Sequence, residues 1–261
     1  MDSCSFKYYH EHEYDPNDVQ NIFAVPDADK ILHEEIVKFP LKILQSLVSS
    51  GKIAGKTLID FSTGPIIPHL LAICDYFSDI IVLEPNDFCM REMEKWQNGE
   101  EESWDWSNIS DCFPELEGDR DKWIKKEETL KSKIKNVIFD LSKDDPSESL
   151  ALSKADSLTS FYLLGQTSKD KEAYRKNLRK LSSRLRLGGH LILTGTFNVK
   201  HFSIGEEKYH SLNIDKDFLR KSLEDAGFNI EMFETLDSKV TSHLAKYDQI
   251  FVACAQKVKE V

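Results

Sequence analysis

Apolar positions along the chain switch repeatedly between a helical and a strand-like period. Over residues 27–51, Ile31, Leu32, Ile36 and Val37 recur at helical spacing; beyond Pro40, Leu41, Leu44, Leu47 and Val48 continue one face to Gly51. Thr57-Leu-Ile-Asp-Phe61 is a short β-rich run with an acid near its end. The turn Ser62-Thr63-Gly64-Pro65 follows it, then an apolar helical stretch through Leu70, Leu71 and Cys74. Residues 80–84 form a second buried-strand pattern, and Asn86 suits the cap of a helix carrying Met90, Met93 and Trp96. Residues 98–120, acidic and aromatic, read as an insertion or loop. A charged helix over 122–135 places Trp123, Leu130 and Ile134 on one face, and 136–140 is a third strand, again ending in an acid.

The alternation continues to the C-terminus. Residues 155–164 read as a fourth strand, and 171–186 as a helix with Tyr174, Leu178, Leu181 and Leu185 on one face. Gly188-Gly189 is expected to stop that helix before a fifth strand at 190–194. A helix over 215–226 ends at Gly227, and two β-rich runs, 229–235 and 249–255, have no clear helix between them, which predicts an antiparallel pair. The whole predicts a doubly wound α/β fold: a mostly parallel sheet of the Rossmann-like kind with an antiparallel finish. One domain is expected over 28–261. It is preceded by a polar, aromatic segment over 1–27, broken by Pro16 and Pro26.

Composition narrows the function classes. With 40% apolar and 30% charged residues the chain builds a folded core, and 34 basic against 45 acidic side chains leave a net charge of −11. That sign repels phosphate backbones and anionic lipid, so neither nucleic acid nor membrane is an expected partner. The 5 cysteines are scattered and form no CxxC pair, arguing against disulfides and zinc. His10 and His12 have no second ligand cluster nearby, so no metal is expected and the segment reads as solvated. The N-terminus has no apolar signal core and no apolar run approaches the roughly 20 residues of a membrane span, so a cytoplasmic monomer is expected.

Candidate chemistry sits at the strand ends, where open parallel sheets bind ligands. Asp60 with the Ser62–Pro65 turn, Glu84 and Asp140 occupy three such ends. The turn offers backbone N–H groups and a helix N-terminus, with Gly64 permitting close approach. Glu84 lies 20 positions after Gly64 and suits a ribose diol; Asp140 can accept from an adenine amino group. There is no P-loop, and the first turn has fewer glycines than a dehydrogenase fingerprint. S-adenosylmethionine, which carries no phosphate, therefore fits better than NAD.

The run Leu58-Ile-Asp-Phe-Ser-Thr-Gly-Pro65 resembles the LIDIGSGP motif of the nicotinamide, phenylethanolamine and indolethylamine N-methyltransferase family. Further matches follow in order: Glu94-Lys95-Trp96, Trp104-Asp105-Trp106, Leu116-Glu117-Gly118, Lys126-Glu-Glu, Ala155-Asp156, Leu187-Gly-Gly-His-Leu191, Ile204-Gly-Glu-Glu-Lys208 and Ala226-Gly-Phe-Asn-Ile-Glu231. The resemblance implies a class I methyltransferase fold of about seven strands. It also implies transfer of the S-adenosylmethionine methyl group to the nitrogen of a small amine, with S-adenosylhomocysteine as product and no catalytic side chain required. Carried over position by position, it assigns Asp60, Ser62, Thr63, Gly64, Glu84, Asn86, Cys89, Asp140, Leu141 and Tyr162 to the cofactor. Phe23, Phe161, Gln166, Thr196, Phe197 and Phe202 fall to the acceptor.

The departures are specific. Ser62 stands where the family has Gly, with a Cβ and hydroxyl beside the cofactor, and a positive φ there would cost about 1–2 kcal/mol. Pro68 replaces a Tyr, Cys89 an Asn, and Glu84 the ribose Asp. Val19, Phe23 and Ala24 stand in a lid that is Tyr-rich in the family. Gly165 and Gly195 stand where the nicotinamide enzymes have Asp, so nicotinamide is not the expected acceptor. The alternative is a catalytically silent relative that keeps the fold as a binding, structural or interaction protein.

Overall fold

The computed structural model describes residues 6–13, 15–23, 29–64, 66–101, 103–113, 116, 118–139 and 154–261. Helix α1 (Pro16–Phe23) leads to α2 (Lys30–His33), which runs through a π turn at Glu34–Lys38 into α3 (Phe39–Ser49). Then come β1 (Thr57–Asp60), α4 (Pro68–Ile73), β2 (Asp79–Glu84), α5 (Asp87–Asn98), α6 (Arg120–Lys133), β3 (Ile134–Ile138) and β4 (Ala155–Phe161). The chain continues through α7 (Leu163–Gln166), α8 (Lys171–Arg184), β5 (Leu185–Phe197), β6 (His201–Ile204), β7 (Glu207–Tyr209), α9 (Lys216–Asp225), β8 (Phe228–Asp237), β9 (Ala245–Lys246) and β10 (Gln249–Lys257).

Seven strands form one sheet in the order β3-β2-β1-β4-β5-β10-β8. The five on the β3–β5 side are mutually parallel, and β10 runs antiparallel to both β5 and β8. Both faces are covered, which is why the inner strands read as near-continuous apolar runs. Leu58, Ile80 and Val82 pack with α3, α4, α5 and α6, while Ile59, Ile81 and Leu83 pack with α8 and α9. Side-chain caps start several helices. Asp119, Asp170 and Asp215 each accept a backbone N–H of the first turn, and Asn86 Oδ1 accepts from the amides of Phe88 (2.9 Å) and Cys89 (3.3 Å).

Two expectations need correction, and two features go beyond the sequence pattern. Gly188-Gly189 does not end the helix; α8 stops at Arg184 and β5 already begins at Leu185, carrying the glycine pair inside the strand. The reason is close packing: a Cβ on Gly189 would lie 2.9 Å from Asp156 O and 3.0 Å from Arg186 O. The third strand is Ile134–Ile138, so Asp140 falls beyond it and, with Leu141, outside the described residues. The 98–120 stretch, read as an insertion or loop, contains a 3-10 turn (Ser107–Cys112) among its described residues and buries Trp104 and Trp106 in the main core. Finally, a small second sheet, β7-β6-β9, was not foreseen; its strands are two to four residues long, too short for a period to show. Among the described residues no helix is long and apolar enough to cross a membrane.

Candidate functional site at the topological switch

The strand order reverses between β1 and β4, so the crevice beyond their carboxyl ends is the expected ligand site. There the turn after β1 is held by a buried polar cluster. Asp60 Oδ1 accepts from Ser62 Oγ (2.6 Å) and Thr159 Oγ1 (2.6 Å), and His69 Nε2 lies 2.9 Å away. Ser62 Oγ accepts in turn from the Phe161 amide at 3.0 Å, which ties the turn to the end of β4. His69 also stacks on Phe161, with ring centroids 4.6 Å apart. Ser62 is thus turned into the protein and bonded there. The described non-glycine residues with positive φ are Tyr162 and Asn198, so the backbone penalty anticipated for Ser62 does not arise. Pro68 begins α4, where its missing N–H is no loss.

Glu84 ends β2 and is fully buried. Its Oε1 accepts from the Asn86 amide at 2.8 Å, and its Oε2 accepts from the Tyr9 hydroxyl at 3.1 Å. Burial pushes its carboxyl up to about 8, against the pull of the Asn86, Tyr9 and Gly64 hydrogen bonds. Asn86 Nδ2 donates to the carbonyls of Tyr9 (2.6 Å) and His12 (3.1 Å), so the N-terminal segment is clamped at two points. Tyr9 is 1% exposed, and the segment expected to be solvated is locally core. Gly64 adopts φ +61°, and a Cβ placed on it would meet Tyr9 Oη at 3.4 Å and the buried Cys89 Sγ at 3.9 Å.

Thr63 and Tyr9 also border a mostly apolar cavity of about 90 Å³. Ligand pockets usually run roughly 300–1,000 Å³, so this one holds at most a fragment as it stands. Phe23, Tyr162, Gly165, Gln166, Gly195, Thr196 and Phe202 are among its walls. Thr63 Oγ1 donates to Gln166 Oε1 at 2.8 Å, linking the β1 turn to α7. Tyr162 has φ +65°, a strained conformation for an aromatic residue, and its hydroxyl donates to Ile36 O at 2.7 Å. Thr194 Oγ1, also in the wall, is buried without a hydrogen-bond partner. No Asp, Glu, Lys or Arg is found among the described lining residues.

Two of the residues assigned to the acceptor do not line this cavity. Phe197 stacks on Phe251 (4.6 Å) in a ring cluster with Phe233, and Phe161 faces His69 and a much smaller void of about 20 Å³. Aromatic residues past a strand end serve packing as readily as binding, and spacing does not separate the two uses. Tyr9 escaped the sequence reading altogether, since only folding brings it to a partner 75 positions away. His69, five positions after Gly64 on α4, becomes the partner of Asp60 only in the folded chain.

Comparison with known proteins places these features. The NNMT/PNMT/TEMT family profile matches residues 4–258. Mouse indolethylamine N-methyltransferase is 30% identical over 249 residues, covering 95% of this chain and 94% of its own. Human nicotinamide N-methyltransferase is 32% identical over 225 residues, 86% of this chain and 85% of its own. Among solved structures, an S-adenosylmethionine-dependent methyltransferase from Methanosarcina mazei superposes with a TM-score of 0.57 at 13% identity, covering 82% of this chain and 98% of that one, a likeness of fold alone. Since the sequence match runs through every strand of the sheet and not only the turn after β1, the chain belongs to the NNMT/PNMT/TEMT family, on the fold of class I S-adenosylmethionine-dependent methyltransferases.

Proposed function

We propose that this protein is an S-adenosylmethionine-dependent N-methyltransferase whose acceptor is a small, apolar amine other than nicotinamide. The observation that carries the reading is the mostly apolar cavity bordered by Thr63 of the β1 turn, whose described lining holds no Asp, Glu, Lys or Arg and a single histidine, His201. A protonated amine entering it would lose its hydration without gaining a counter-charge, so the nitrogen is met neutral, in its nucleophilic form. Gly165 and Gly195 both line the cavity, at the positions where the resemblance puts the aspartates of the nicotinamide enzymes. A Cβ on Gly195 would lie 2.8 Å from Phe251 Cζ, so a carboxylate has no room there while Phe251 keeps its place.

The residues present suit the cofactor chemically. Glu84 offers a buried oxygen to a ribose hydroxyl, and Gly64 admits close approach of a ligand to the turn. Ser62 is folded away from that approach, which removes the main objection to binding. Cys89 adds only a small apolar wall. Bound S-adenosylmethionine would supply an electrophilic methyl group on a sulfonium. The protein's own part is then alignment and exclusion of water, the effects that dominate an in-line displacement. Tyr162, held in its strained conformation between turn and cavity, would position the acceptor, and the unpartnered Thr194 hydroxyl would meet a polar group on it.

Calorimetric titration with S-adenosylhomocysteine and S-adenosylmethionine tests the cofactor half. Mass spectrometry of amine mixtures incubated with protein and S-adenosylmethionine tests the acceptor half. Binding followed by methylation of neutral, apolar amines is expected; methylation of nicotinamide in preference to them would refute the acceptor assignment. The second reading, a catalytically silent relative, is favoured by one observation: Glu84 already has a partner in Tyr9. Binding of both compounds without any methyl transfer across a broad amine set would favour it.

A further inference from the structure

We infer that the 3-10 turn at Tyr9–Glu11 is an internal occupant of the nucleoside site, which a cofactor must displace in order to bind. The inference rests on the proposed cofactor reading of Glu84. The Tyr9 hydroxyl donates to Glu84 Oε2 (3.1 Å), the oxygen a ribose hydroxyl would use. The Tyr9 carbonyl accepts from Asn86 Nδ2 at 2.6 Å, and the Tyr9 hydroxyl lies over Gly64, 3.4 Å from where a side chain on that glycine would begin. The phenol therefore fills the one place where the turn is bare, and Tyr9 packs with Phe61, Cys89 and Phe139 as a core residue does.

Around the phenol the attachment is limited. Outside Tyr9 and Asn86 the segment is held by a short main-chain pairing, with the Lys7 amide on Lys208 O (3.1 Å) and the His210 amide on Lys7 O (2.8 Å), and by the Tyr8 ring against His210, centroids 4.8 Å apart. The flanking ion pairs, Lys7 with Glu207 and Arg91 with Glu13, are exposed and of the kind that contributes little. One buried phenol, the two Asn86 hydrogen bonds and a few rim contacts thus oppose the ligand. When the binding-competent form is a minor one, apparent affinity falls by the fraction that is competent. This differs from a lid that closes over bound cofactor: here the segment and the nucleoside exclude each other.

The test compares wild type, Tyr9→Phe and Tyr9→Ala by calorimetric titration with S-adenosylhomocysteine, with hydrogen exchange of residues 7–13 and 208–210 followed in the wild type. Tyr9→Phe keeps the ring and removes only the hydroxyl, so it guards against a folding defect in Tyr9→Ala. The inference expects affinity to rise in the order wild type, Phe, Ala, by roughly 10-fold or more from first to last if the plugged form dominates by that factor. It also expects added S-adenosylhomocysteine to speed exchange of the Lys7, Glu11 and His210 amides. Equal or weaker binding by both variants, or slower exchange at those amides on binding, would overturn the plug while leaving the cofactor reading intact. Absence of binding in all three proteins, each shown folded by a cooperative thermal transition, would remove the cofactor reading and the plug with it.

Discussion

Replacing Glu84 by Gln should change how the stability of this protein depends on pH, and by an amount the structure allows to be bounded. Burial raises the Glu84 carboxyl to about 8, from an ordinary value of 4.5. Between those values the folded protein holds a proton that the unfolded chain has released, so stability is full below about 4.5 and falls as pH rises through 8. A tenfold change in a proton-binding equilibrium is worth about 1.4 kcal/mol, which sets a ceiling of about 5 kcal/mol on the loss across the window. The amide introduced by Glu84→Gln would keep an acceptor for the Asn86 and Gly64 backbone N–H groups, and it cannot ionise. Urea unfolding of both proteins from pH 5 to 9 isolates the effect, since all other titrating groups cancel in the difference between them. The gap between variant and wild type should grow with pH by a few kcal/mol and level off above 8. Parallel curves, or a gap that shrinks as pH rises, would mean that Glu84 ionises freely where it sits, and the picture of a desolvated carboxyl behind Tyr9 would be wrong.

Restoring the family glycine with Ser62→Gly should destabilise this chain by about 1–3 kcal/mol in urea, because the buried Phe161 amide loses its acceptor and Asp60 loses a donor. Gly195→Ala should cost about 1–3 kcal/mol through overpacking on Phe251, whereas Gly165→Ala, whose Cβ would meet only Ser211 Oγ at an ordinary 3.5 Å, should cost far less; the same unfolding measurement checks both. Cys74 and Cys254 should resist a thiol reagent at neutral pH until denaturant is added, since burial shields them and pushes their thiols up to about 11 and 12.

Much of the scaffold was legible residue by residue. The apolar runs at 57–61 and 80–84 are β1 and β2 within a residue or so, because strands buried on both faces leave no room for polar alternation. Asn86 was readable as a cap from its place before Met90 and Met93, and it is one. The antiparallel finish followed from two β-rich runs with no helix between them. Boundaries near glycines were less legible. Gly188-Gly189 looks like a helix stop, yet Gly188 serves a positive φ of +77° within β5, and Gly189 leaves room for the Asp156 carbonyl, a contact with a distant part of the chain. The candidate site divides in the same way: Asp60 and Glu84 lie at the ends of β1 and β2 where the pattern put them, while Phe197, expected beside the acceptor, stacks on Phe251 and does not line the cavity.

The sequence by itself determined the order of the main-sheet strands and the longer helices, the acids at the ends of β1 and β2, and the family, because periodicity and short motifs are properties of neighbours along the chain. Only the tertiary structure decided what those acids touch. Asp60 gathers Ser62, Thr159 and His69, and Glu84 takes the hydroxyl of Tyr9. Partners up to 99 positions apart meet only once the sheet has closed, and a buried carboxylate must then be satisfied by whichever donors the packing brings to it.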